Sequence, residues 1–414
     1  MRRISSNMNN TTVQMNLRRQ ESKVNTSNRQ LGTQQRITQL RDDPIAAGHL
    51  VRYQSYLTRV KDFEKNAQTL TDQFSVREGY MNQSLQIMQR VRELAVTGAN
   101  GTYTSDDLKN MATEVNQLLG ALIQNANAVG PDGNALFAGT NTKTTAFAAE
   151  MGTVAGSAVP LVENVRYNGT IDKNTVEVDE NQYLSVENAG NRTFWAENQQ
   201  LYSARDAGSW QAAGDSEIAV DGVKIKINTG DNVYALASRI NDSGAAVKAT
   251  IDPVTRGLNI ATTDSRQLWL QDVSGTALQD LGLVKDNSQR PPYNIGDAAR
   301  VSGGSLFDTV IALRNAMLKG DQKTIGGRVL GALDSGIGNL ETHIAKTGAL
   351  YERAQQDIQR NSTTALNTEQ LVSREGDLDI TEAITNLKML EYAYQATLST
   401  AGKMYSTSLL DYIR

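Results

Sequence analysis

Cysteine is absent from all 414 residues, which excludes disulfides, thiolate metal centres and cysteine nucleophiles. A chain without thiols also suits work outside the cytosol with no oxidative folding step. Aromatic residues are scarce, 6% of the chain within a hydrophobic total of 39%. That is lean for one compact globule and suits helices that share narrow apolar seams. Histidine is rarer still. His49 and His343 each sit in a helical pattern without a ligand-spaced partner, so both read as ordinary helix residues. No stretch approaches the roughly 18 apolar residues of a membrane span. The opening MRRISSNMNNTTVQMNLRRQ carries positive charge but no apolar h-region, so a cleaved signal peptide is not expected. The net charge of -4 points to neither a nucleic acid nor a membrane surface as partner.

Proline is confined to positions 44, 131, 160, 253, 291 and 292. Two proline-free windows result, 45–130 and 293 to the end, and both have room for long helices because proline is excluded from helix interiors. All three tryptophans, Trp195, Trp210 and Trp269, fall between the windows. The layout is helical, then β-rich, then helical, so the two outer thirds are expected to pack together around a β insertion. The seams agree. Phe63, Ala67, Leu70, Phe74, Met81, Met88, Val91 and Ala95 hold one 3-4 register, interrupted by Arg77 and Ser84. Leu340, Ile344, Tyr351, Ala354 and Ile358 hold another, and Ile380, Ala383, Leu387, Leu390, Tyr394, Ala401 and Met404 a third. A helix from Pro44 to Ala99 would reach about 80 Å at the usual rise per residue. The expected fold is therefore mainly α, an elongated coiled-coil rod built from both arms, with a small antiparallel β domain inserted.

The stretch RITQLRDDPIAAG breaks this pattern. Asp43 is a good N-cap, Pro44 suits the first helical position, and Asp42 and Asp43 complement the positive helix start. Gly32 can end the preceding helix. Arg36, Ile37, Asp42, Asp43 and Pro44 thus mark a joint between two helices. Before it, residues 1–41 carry eight Arg or Lys against one acid, Glu21, and residues 2–31 hold few apolar side chains: Ile4, Met8, Val13, Met15, Leu17, Val24 and Leu31. Such a helix buries too little to stand alone. In the middle, Val223, Ile225 and Ile227 alternate with Lys224 and Lys226 as a half-buried strand. Asp231 is placed to cap a short helix carrying Val233, Leu236 and Ile240. Val247, Ala249 and Ile251 then alternate, DPVTRG turns the chain, and Leu258 and Ile260 return. VENVRYNGT and NTVEVDE are two earlier strand candidates.

Catalytic chemistry finds no footing. LGALDSGIG is not a G-x-S-x-G elbow, Gly303-Gly304 and Gly326-Gly327 fit no phosphate loop, and Asp377 and Asp379 lack the further ligands of a calcium loop. No catalytic, cofactor or metal site is expected.

LGTQQRITQLRDDPIAAG, NAQTLTDQFSVREGYMNQSLQIMQRVRELAVTGANGTYTSDDL, GNALFAGT and EGDLDITEAITNLKMLEYAYQATLSTAGKMYSTSLLDYIR together resemble the flagellin superfamily over both helical arms. DGVKIKINTG with ASRIN is similar to a module repeated in flagellar filament and hook-associated proteins. Asp42-Asp43-Pro44, LFAGT and SLLDYIR look more like the hook–filament junction branch than filament flagellin. The resemblance implies export of an unfolded chain through the flagellar type III channel, then packing of both ends against neighbouring subunits as an inner tube. It implies as partners neighbouring copies, the first hook-associated protein, flagellin, and an export chaperone on the C-terminal segment, with no nucleic acid and no membrane insertion. It divides the chain into an inner-tube helix and joint (1–42), two rod halves (43–149 and 303–369), a β-rich outer domain (150–302) and a C-terminal inner-tube helix (370–414). The assembly and chaperone interface would comprise Ile380, Ile384, Leu387, Leu390, Tyr394, Leu398, Ala401, Met404, Leu409 and Tyr412, and the N-terminal assembly helix Ile4, Met8, Met15, Leu17, Val24 and Leu31. A filament flagellin remains the alternative within the class. An enzyme on a coiled-coil scaffold is the alternative outside it, and it would need a polar cluster in 150–300.

Overall fold

The computed structural model describes residues 6–186, 189–285 and 289–410, with side chains described from 11 to 403 within those limits. Three helices come first: α1 (Ser6–Thr33), α2 (Pro44–Gly98) and α3 (Ser105–Ala126). Strands β1 (Phe147–Gly152), β2 (Leu161–Tyr167), β3 (Asn174–Asp179) and β4 (Gln182–Val186) follow, then a helical turn, α4 (Gly190–Thr193). Next come β5 (Gln200–Ser203), β6 (Ser216–Val220), β7 (Val223–Ile227), α5 (Val233–Asp242), β8 (Val247–Ile251), β9 (Leu258–Thr262), β10 (Leu270–Ser274), α6 (Ala277–Asp280) and β11 (Ala299–Ser302). The chain closes with α7 (Leu306–Lys319), α8 (Gln322–Thr324), a π-helical segment (Ile325–Val329), α9 (Leu330–Gly376) and α10 (Ile380–Leu410). The fold is mainly helical with a β-rich insertion, and its named strands pair antiparallel. Contacts divide it into two units, one of residues 1–65 with 356–414, the other of residues 66–355.

In the larger unit, α2 contributes a continuous face of Ala67, Leu70, Phe74, Met81, Met88, Val91 and Ala95, all buried. Arg77 and Ser84, expected as interruptions, lie within this face. The Arg77 guanidinium sits 5.9 Å from the centroid of the Phe74 ring, and burial lowers its pKa to about 10. The Ser84 hydroxyl returns a bond to the Tyr80 carbonyl at 2.8 Å. Helices α3 and α7 pack against each other, and each opens with a capping box, Thr104 with Asp107 and Ser305 with Asp308. The turn after α3 feeds this core with Phe137, whose ring meets Phe194 edge-on at 5.0 Å. Phe147 and Phe307 complete the cluster at 4.9 Å. Here the LFAGT stretch acquires a physical reason. Gly139 takes a φ of 67°, and a Cβ there would stand 2.3 Å from the Thr170 carbonyl oxygen.

The same unit holds a second core, built wholly from residues between Leu201 and Ala299. A three-stranded sheet, β10-β6-β7, and a four-stranded one, β11-β5-β9-β8, enclose it with α5. The β6–β7 hairpin turns on Asp221-Gly222, both at positive φ, as a two-residue hairpin demands. Strands expected at Val223–Ile227, Val247–Ile251 and Leu258–Thr262 are present, with Ala249 opposite Ile260. One local expectation is corrected. Asn232, not Asp231, caps α5 by accepting the Ala235 N–H, because Asp231 is occupied by Arg239 at 2.9 Å. The two earlier strand candidates each find their own hairpin partner, β1 for β2 and β4 for β3. Position 150, where an outer domain was expected to begin, falls inside β1, and Phe147, Val165 and Tyr167 from this hairpin join the helical core.

Candidate assembly surface

In the smaller unit, α1 packs along α10. Half-buried residues of α1 recur at Val13, Leu17, Val24 and Leu31, the spacing of one helix face, while Met15 is 54% exposed. On α10, Ala383 and Ala401 are buried and Leu387, Leu390 and Tyr394 half-buried, all on one side at 100° per residue. Helix α1 thus covers these five at least in part. Ile380, Ile384 and Leu398 flank that side and stay exposed at 44–48%, and Met389 and Tyr392, on the far side, are more open at 61% and 70%. An open cleft of about 590 Å³ separates the two helices, bordered by Lys23, Thr26, Gln30, Met389, Leu390 and Ala393. Ile4 and Tyr412 lie outside the described residues. Met8, Met404 and Leu409 belong to α1 and α10 but fall outside the described side chains.

The joint is built from both ends of the chain. Asp43 caps α2 by accepting the Ala46 N–H at 3.1 Å, and that bond, with Arg36 3.4 Å away, holds its carboxyl below the usual range against a small desolvation penalty. Asp42 is also lowered. Slight desolvation works against ionisation, but the Thr38 hydroxyl and the N–H groups of Gln39 and Thr38 outweigh it. Arg36 spans the joint. Its N–H donates to the Gly376 carbonyl at 2.8 Å, and its guanidinium to the Glu375 carbonyl at 2.7 and 3.1 Å. The Leu378 N–H returns to the Gln34 carbonyl at 3.1 Å, and Gln30 holds the Arg36 carbonyl at 2.6 Å. Ile37 packs with Ala46 and Ala47. Helix α1 runs through Gly32 to Thr33, and Gln34 takes the left-handed conformation, with φ at 56°. Farther along this unit, Lys61 meets Glu369 at 2.6 Å.

Several contributors escaped sequence reasoning. Glu375, Gly376 and Leu378 supply half of the joint, although nothing local marks them. Asp379 was seen only as an acid without a partner; it caps α10 by accepting the Thr381 and Glu382 N–H groups at 2.9 and 3.1 Å. The N-cap rule applied to GDLDIT carries that signal. Among the described residues, no group of three or more His, Cys, Asp or Glu could hold a metal ion, and no helix is long and apolar enough to cross a membrane.

Residues 4–142 match the family described as the bacterial flagellin N-terminal helical region. A flagellin of Salmonella muenchen is 28% identical over 287 residues, 69% of this chain and 55% of that protein, so the match spans about half of the flagellin's own length. The flagellar hook-associated protein 3 of Escherichia coli strain K12 is 23% identical over 295 residues, 70% of this chain and 85% of its own. Flagellin A of Vibrio cholerae is 24% identical over 402 residues, 96% of this chain and 94% of its own. The family match over the N-terminal helices and the relative aligned along nearly the whole length make this chain similar to the bacterial flagellins and to hook-associated protein 3.

Proposed function

We propose that this protein is a structural adaptor of the bacterial flagellum, joining the hook-associated zone to the flagellin filament. It does no catalysis. The observation that carries the reading is α10, whose apolar residues emerge on both sides of its contact with α1. Exposed apolar surface of this extent marks a partner surface, and one helix cannot cover both sides. Neighbouring copies are the natural cover, with the first hook-associated protein at one end of the zone and flagellin at the other. Before export, a chaperone that grips α10 through anchors at i, i+3 and i+4 would serve the same residues. The joint then separates the helices that pack into the inner tube from those that follow it.

The similarity to hook-associated protein 3 favours the junction. The alignment with Flagellin A over 96% of the chain favours a filament subunit as the second reading. Immunogold labelling of isolated flagella separates them. Label confined to the base of the filament supports the adaptor. Label along the filament's length replaces it with the filament subunit, and label absent from flagella rejects both.

A further inference from the structure

The larger unit has two cores, one helical and one within the β-rich insertion, and they are joined thinly. Among the described hydrophobic residues from 199 to 302, Trp269 alone packs against the inner, helical core. The chain enters and leaves the outer core through a narrow neck. The Leu306 N–H donates to the Phe194 carbonyl at 3.0 Å, and the Ala196 N–H to the Gly304 carbonyl at 3.0 Å. Gly303, at a φ of 86°, lies so close to Asn198 that a Cβ would stand 2.4 Å from its carbonyl oxygen. Beyond the neck the seam is polar. The Gln267 N–H donates to the Asn191 carbonyl at 3.1 Å. The Tyr293 hydroxyl donates to the Tyr167 carbonyl at 2.9 Å, while the Arg166 guanidinium lies 4.2 Å from the Tyr293 ring centroid.

Three buried side-chain atoms at this seam make no hydrogen bond within the protein: Asn191 Oδ1, Gln267 Oε1 and Trp269 Nε1. Two are acceptors and one is a donor. Each is expensive to keep dry, and each regains a partner once water reaches it. Opening the seam therefore hydrates three unsatisfied groups and exposes little apolar surface beyond Trp269. Inside the outer module the balance differs. Arg266, almost wholly buried, pairs with Asp221 at 2.8 Å, and Asp221 also accepts the Trp269 backbone N–H at 2.9 Å.

We propose that residues 199–302 form a latched module that swings away from the helical core as a unit, pivoting at the neck formed by residues 194–198 and 303–306, while both cores stay folded. The latch consists of Trp269, the Asn191–Gln267 pair and Tyr293 on Arg166 and Tyr167. Such an opening is a sub-global one, governed by its own small contact set and not by the stability of either core. It stands independently of the adaptor reading, since it uses only contacts within this unit.

Native-state hydrogen exchange on the full chain tests it. The Gln267 amide should exchange through an opening with a shallow dependence on denaturant. Amides of β9 in the module and of α7 in the helical core should stay protected far longer. Tyr293→Leu removes one hydrogen bond and one cation–π contact, so Gln267 should exchange about five- to tenfold faster, with β9 and α7 amides unchanged. Tyr293→Phe removes only the hydrogen bond and should give a smaller acceleration at the same amide. Exchange of all three probes with one common opening energy and slope overturns the latch, as does a Tyr293→Leu variant that speeds all three alike.

Discussion

Helix α2 and helix α10 carry the same 3-4 apolar spacing and meet opposite fates. In the larger unit, Phe74, Met81, Met88 and Val91 are exposed by 1% or less. On α10, Met389 and Tyr392 keep well over half of their surface in water, and even the side facing α1 is mostly half-buried. The spacing states that a face will be covered. It does not state by what, or at which step. Where the cover comes from the same chain, the face contributes to folding. Where it comes from outside, the face contributes to assembly, and the isolated chain tolerates its loss.

The sharpest way to break this contrast is to cut into each face and measure the same unfolding transition. Phe74→Ala empties a wholly buried site and should cost about 3–5 kcal/mol in urea unfolding. A loss below about 0.5 kcal/mol would place Phe74 at the surface and dissolve the contrast.

A smaller effect is expected from Ser305→Ala. Ser305 is 1% exposed and shares a reciprocal cap with Asp308 at the start of α7, at 3.1 and 2.9 Å. Its removal should cost about 1–2 kcal/mol with an unchanged denaturant slope. A changed slope would show that the neck beside Ser305, and not only the helix end, had been disturbed.

Much of this was legible beforehand. The proline-free windows located the long helices, and alternation located β7, β8 and β9, because both signals are local. The capping of α2 by Asp43 was legible for the same reason. What was not legible depends on distant chain. Arg36 reaches Glu375 across 339 residues of sequence, and no local pattern encodes that meeting. Arg77 and Ser84 looked like faults in a seam because charge and hydroxyl were read without their surroundings. An aromatic face accommodates the guanidinium, and the helix's own carbonyl accommodates the hydroxyl. On α10 the stripe was legible, but its division into covered and open sides needed the position of α1.

Leu387→Asp with Leu390→Asp tests the other half of the contrast. Two charges would enter the contact with α1, so the terminal pair should separate and lose helical signal. The transition of the larger unit should move by less than about 0.5 kcal/mol, since these residues belong to the other unit. Under the proposed function, chaperone pull-down and anchoring of filaments should both disappear. A double variant that still bound chaperone and still anchored filaments would remove α10 as the shared docking surface.

The smallest effect belongs to the joint, and its sign follows from the carboxyls. Asp42 and Asp43 have folded-state pKa values depressed below the ordinary value near 3.8. A depressed carboxyl contributes stability that is present above the unfolded pKa and is lost as pH falls through the lower, folded value. The joint should therefore be fully tied at neutral pH and loosen below about pH 4. Both groups lie near the surface, so the energy is small and screened by salt. The readout must be local. Proteolysis with an acid-active enzyme should begin to cut within 34–43 and 375–379 as the pH drops, before cleavage inside residues 66–355. Asp42→Asn with Asp43→Asn removes both charges at any pH and should make the same segments susceptible already at pH 7, with little further change on acidification. If the double variant resisted cleavage at pH 7 as well as the parent chain does, the ties from Arg36 to Glu375 and Gly376 would hold the joint without the aspartates. Acid sensitivity would then have to come from elsewhere in the unit.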